Sequence, residues 1–126
     1  MSAEVQGSGV MPVSSIMTAL MGSIKERKAR PPGEPSYVVD LLRGGVARIG
    51  AKIVEEAAEV VEAGDEPGEA GRVHLVKEVA DLVFHAMVLL GYRDLDWDDV
   101  EAELGRRFGV SGITEKQSRD QPSRTP

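Results

Sequence analysis

The chain has no cysteine, and aromatic side chains make up only 4% of its 126 residues. The first absence excludes disulfides, zinc–thiolate sites and cysteine nucleophiles, and it fits a reducing compartment. The second leaves aliphatic side chains to fill the core, which favours packed helices. No apolar run approaches the ~20 residues that a membrane-spanning helix needs. The start carries no basic segment followed by an apolar one, so no signal peptide is expected and the cytoplasm is the expected location. A basic excess is missing too. The net charge is −6, which argues against nucleic acid as a partner.

What is present is a globular composition, 41% hydrophobic and 29% charged, in a length that suits one domain with a modest core. Charge is unevenly placed. From Glu55 to Glu103 there are fifteen acids and three bases (Arg72, Lys77 and Arg93). Before Glu55 there are seven bases and four acids, and after Glu103 five bases and two acids. An acidic centre between basic ends suits a central cation with anionic phosphates at the periphery, although most of these charges simply solvate helix faces.

Residues 1–14 read as a disordered polar tail, residues 15–119 as one helical domain and residues 120–126 as a second polar tail. Ser14 or Ser15 can cap a helix to about Lys28 whose buried face would hold Ile16, Ala19, Leu20 and Ile24. The proline-rich stretch from Arg30 to Pro35 ends it. Ser36 caps a short helix through Leu42, and Gly44-Gly45 allows a bend. The next helix spans about Val46 to Ala63. At about 100° per residue, Val46, Ile49, Ile53, Ala57 and Val60 form its apolar stripe, with Lys52, Glu56 and Glu59 along one edge. A turn at Gly64-Asp65-Glu66-Pro67-Gly68 leads to a helix from about Glu69 to Tyr92. That helix is apolar almost all round, which predicts burial, and His74, Glu78, Asp81 and His85 share one face. Asp96 caps a last helix, Trp97 to about Phe108. No strand alternation and no internal repeat are present. The expected class is therefore all-α, an antiparallel helical bundle of four to five helices.

Two acid pairs stand at i, i+3 spacing, Glu56 with Glu59 and Glu78 with Asp81, so each pair shares a helix face. Helices joined by so short a turn run antiparallel, and the four carboxylates can converge across one seam. Ionised carboxylates crowded together in a partly buried seam oppose one another. A hard divalent cation, Mg²⁺ first among them, removes the conflict. Lys52 reads either as a helix ion-pair partner of Glu56 or as a cation aimed at phosphate charge. His85 reads as a core histidine or as a donor to one of the carboxylates. His74, nearer the helix start, carries less of the argument.

These residues resemble a known family, the phosphoribosyl-ATP pyrophosphohydrolases of histidine biosynthesis, within the all-α nucleotide pyrophosphatase superfamily. The superfamily motif is Glu-x-x-Glu followed by Glu-x-x-Asp, here Glu56-x-x-Glu59 and Glu78-x-x-Asp81. The words around it match as well: Ser36-Tyr37 with Leu41-Leu42, Lys52 to Val61, Glu78 to His85 with Val88-Leu89-Leu90, and Ser111-Gly112-Ile113 with Glu115-Lys116 and Ser118-Arg119. The likeness runs from about Ile16 to Arg119. Val54 departs from it, standing where a glycine is usual, but away from the acidic edge.

The resemblance implies Mg²⁺-dependent hydrolysis of phosphoribosyl-ATP to phosphoribosyl-AMP and pyrophosphate by a helical homodimer. Glu56, Glu59, Glu78 and Asp81 would hold metal, and Glu55 or Glu59 would take the water's proton. Lys52, His85, Lys116 and Arg119 would meet the substrate, with Lys52 also at the reacting phosphate. Two alternatives stay open: a broader house-cleaning nucleoside triphosphate pyrophosphatase, and a non-catalytic helical dimerisation module.

Overall fold

The structure is a computed structural model, and it describes residues 13–109. It contains four helices and, among the described residues, no strand. They are α1 (Val13–Ala29), α2 (Tyr37–Gly64), α3 (Gly68–Tyr92) and α4 (Trp97–Phe108). None is long and apolar enough to cross a membrane. The chain divides into two compact units, residues 1–95 with α1 to α3 and residues 96–126 with α4. The expected tail over 120–126 and most of the one over 1–14 lie outside the described residues.

Each boundary in the first unit has a local cause. Ser36 accepts a hydrogen bond from the Val39 amide at 3.3 Å and starts α2. The two helices expected on either side of Gly44-Gly45 are one element with a kink, because Gly45 takes φ 68° and ψ −159° in mid-helix. A side chain is disfavoured there on conformational grounds, and a Cβ would also lie 3.3 Å from the Tyr92 hydroxyl. At the other end of α2, Asp65 and Glu66 donate back to Glu62 and Ala63, closing the turn that reverses the chain into α3. The α2–α3 hairpin is the most extensively packed pair in the unit.

The first unit's core comprises Met21 and Ile24 of α1, Val39, Leu41, Ile49 and Ala63 of α2, and Met87 and Val88 of α3. Two expectations change here. Helix α1 buries Met21 and Ile24, whereas Ile16 and Ala19 are exposed. Its contact point explains this: α1 meets α3 at Gly91, where a Cβ would come within 2.7 Å of Ile24 Cγ2. Lys28 fixes the same end, donating to the Tyr92 carbonyl at 2.8 Å and to Asp94 at 2.9 Å. Helix α3 is not buried along its length. Val73, Val76 and Val79 in its first half are exposed, Val76 to 69%. With α1 anchored at Gly91, those turns keep α2 as their neighbour and leave a face open. Val46, expected in the α2 stripe, is exposed for its own part, while Ile49 is fully buried.

In the second unit, Asp99 accepts from the Asp96 amide at 2.9 Å and stabilises the start of α4. Near its end Glu103 pairs with Arg106 and Arg107.

Candidate active site

The kinked second part of α2 and the first half of α3 face each other across the hairpin, and acids from both meet there. One carboxylate oxygen from each of Glu56, Glu59 and Glu78 lies within 4.8 Å of the other two. Glu56 is only 7% exposed, an unusual place for a glutamate. Oε1 of Glu56 and Oε1 of Glu78 are buried and have no hydrogen-bond partner among the described residues. Unpaired buried acceptors are costly. Removal from water, and then the neighbouring Glu56 and Glu59, push the Glu78 carboxyl above the usual glutamate range, with His74 opposing. An all-oxygen donor set with two orphaned acceptors fits a hard divalent cation.

Asp81, expected as a fourth ligand, is exposed and stands outside this set of three. Its backbone carbonyl has a definite task, holding His85 Nδ1 at 2.8 Å. Lys52 lies at the rim, 3.3 Å from Glu55 Oε1 and 3.7 Å from Glu56 Oε2. The hydrogen bond with Glu55 is the main cause that holds its ammonium above the ordinary lysine value. Glu55 itself is exposed. So is Val54, at 70%, clear of the carboxylate cluster.

His85 is 4% exposed, and both ring nitrogens are engaged: Nδ1 with the Asp81 carbonyl and Nε2 with the Tyr37 hydroxyl, each at 2.8 Å. Phe84 packs edge-on against its ring at a centroid distance of 5.0 Å. Lys116 and Arg119 lie outside the described residues.

Two residues emerge that the sequence did not single out for the site. His74 links the turn to the cluster, with Nδ1 3.0 Å from Glu66 and Nε2 3.1 Å from Glu78 Oε2. Glu66, first among the causes, raises its affinity for a proton. The spacing of His74 and Glu78, four apart on one helix face, is a signal the sequence did carry. Tyr37 is the other, and no local pattern connects it to a histidine 48 positions away.

A helical hairpin that gathers carboxylates from both arms, two of them with an unpartnered oxygen, defines an all-α protein with an acidic site whose donor set fits a cation. Residues 17–108 match the family model of phosphoribosyl-ATP pyrophosphohydrolase, and the chain belongs to that family. Three relatives that carry the name phosphoribosyl-ATP pyrophosphatase are similar over most of their length. The one from Rhodopirellula baltica is 50% identical over 110 residues, 86% of this chain and 91% of its own. That from Geotalea daltonii is 49% identical over 105 residues, 83% and 95% of the two chains. That from Neisseria meningitidis serogroup C is 46% identical over 105 residues, 83% and 94%.

Proposed function

We propose that this chain hydrolyses phosphoribosyl-ATP to phosphoribosyl-AMP and pyrophosphate in histidine biosynthesis, with Mg²⁺. Family membership and the relatives' shared name support the substrate and the bond broken. The observation that carries the chemistry is the meeting of Glu56, Glu59 and Glu78, two of which keep a buried oxygen unpartnered. These three, with Asp81 one turn further along α3, would hold Mg²⁺, which would supply charge neutralisation at the anhydride and a more acidic water.

The protein's own groups do the rest. His74 steers the Glu78 carboxylate by holding its second oxygen. Lys52 stays charged beside Glu55 and Glu56 and offers that charge to the phosphate undergoing attack. The water's proton goes to a carboxylate, either Glu59 inside the cluster or Glu55 at its exposed rim. Lys116 and Arg119 supply positive charge for the remaining phosphates. The working form is a cytoplasmic homodimer. The open valines of α3, with Val54 and Val61 of α2, are the apolar surface such a partner would cover.

Pyrophosphate release from phosphoribosyl-ATP, followed with and without Mg²⁺, tests the reading. Turnover of this substrate and not of the common nucleoside triphosphates is the expected outcome. Broad turnover points to a general pyrophosphatase. No turnover, with a melting temperature indifferent to Mg²⁺, overturns the enzymatic reading.

A further inference from the structure

The Tyr37–His85 pair assigns a direction to one proton, and that direction has a consequence for substrate binding. A neutral imidazole has one donor nitrogen and one acceptor nitrogen. His85 Nδ1 faces the Asp81 carbonyl, which only accepts, so Nδ1 carries the hydrogen and Nε2 is bare. Tyr37, at 2.8 Å from Nε2, therefore donates its single hydroxyl hydrogen to His85. What remains on the Tyr37 oxygen is acceptor capacity alone.

The ring is held in place. Phe84 stacks against it with centroids 6.4 Å apart and planes 19° apart, and His85 lies edge-on at 5.8 Å. Yet Tyr37 is 47% exposed, in a chain with few aromatics to leave in water. On one side it lines an open cavity of about 550 Å³ with Ser36, Val38, Arg27 and Arg30. Through His85 it is tied to the Asp81 carbonyl, three residues along α3 from Glu78. Tyr37 thus joins a nucleoside-sized space to the helix that carries Glu78.

We infer that Tyr37 binds the nucleoside half of the substrate, its hydroxyl oxygen accepting a hydrogen bond from a ribosyl hydroxyl or a purine amino group, with His85 as the residue that positions it. Phosphate, which offers only acceptors at neutral pH, is excluded from this contact. The inference rests on the reading of the site as a phosphoribosyl-ATP pyrophosphohydrolase.

The test is steady-state kinetics on the full chain with phosphoribosyl-ATP. Tyr37→Phe keeps the ring and removes the acceptor; it is expected to raise KM five- to tenfold, roughly the worth of one hydrogen bond, with a smaller change in kcat. His85→Leu should reproduce that rise, because an unanchored hydroxyl can turn and donate. His85→Gln, which restores an acceptor, should recover most of it, and the double variant Tyr37→Phe/His85→Leu should be no worse than either alone. ATP, 2′-deoxy-ATP and ITP as competing inhibitors separate the sources. The contact lies with the ribosyl group if Tyr37→Phe weakens ATP and ITP but not the deoxy compound, and with the amino group if ITP alone is spared. An unchanged KM in Tyr37→Phe overturns the inference, as does a KM rise confined to His85 variants that also melt earlier. If the wild-type chain does not turn the substrate over at all, it is the underlying functional reading that fails. Mg²⁺-induced thermal shifts should be equal in Tyr37→Phe and wild type, since the hydroxyl has no part in holding the cation.

Discussion

The two halves of α3 are built of similar residues and do opposite jobs. His85, Met87, Val88 and Gly91 are buried, none of their neighbours from Leu82 to Tyr92 is fully exposed, and the one polar ring has both nitrogens satisfied. Around Val73, Val76 and Glu78, apolar side chains are open and a buried carboxylate oxygen has no partner. The C-terminal half-helix binds the chain together. The N-terminal half-helix is left incomplete by the fold. Apolarity by itself did not decide between these roles; the point where α1 crosses did.

The contrast can be broken first at Glu78. Glu78→Gln is expected to lower kcat by about 10²-fold or more, since it removes an anionic ligand from the set proposed to hold the cation that offsets phosphate charge. It should not lower the melting temperature of the cation-free chain. The folded Glu78 carboxyl is raised above the ordinary glutamate value of 4.5. Its favourable share of stability is thus present below that value and is lost as pH rises through the folded one. Thermal unfolding in chelator, from acid to neutral pH, should show this loss in wild type and a flatter profile in Glu78→Gln.

A second comparison sharpens the division by stability alone. Gly91→Ala drives a methyl group into Ile24 and is expected to cost about 1–3 kcal/mol of unfolding free energy in urea titration. Val76→Ser, on the open face, should change the same quantity by no more than about 0.5 kcal/mol where the chain is monomeric. An equal loss at both positions would show the two half-helices to be equally committed to the core.

The smallest effect concerns a carboxylate shifted the other way. Arg106 and Arg107 hold Glu103 of α4 at about 2. Its contribution is present above the ordinary value of 4.5 and is lost as pH falls from there toward 2. Both arginines are exposed, so the effect is a weakened α4 and not unfolding of the chain. Glu103→Gln should slightly reduce far-UV helicity at neutral pH, and acidification should erase the difference.

Much of this was legible in the residues themselves. Glu56, Glu59 and Glu78 were readable because helical spacing and a short turn are local facts, and together they fix where three carboxylates go. The helices were readable for the same reason, down to the glycine bend and the Asp96 cap. Tyr37 with His85 was not, because that bond joins positions 48 apart and depends on how α2 folds back along α3. The burial of Met21 in place of Ile16 likewise follows from a crossing point that no periodicity encodes. Asp81 shares a face with Glu78, but a shared face is a band, and its side chain lies at the solvent side of that band.

Gly45 separates the piece of α2 that carries Tyr37 from the piece that carries the acids. Given the Tyr37 contact inferred above and the phosphate contacts proposed for the acidic segment, the separation between the two depends on the torsion angles of one residue. In effect α2 is a caliper whose jaw angle is open to a residue with no side chain and disfavoured for any other. Altering that angle would change which length of nucleotide the protein can span while leaving both gripping surfaces chemically intact.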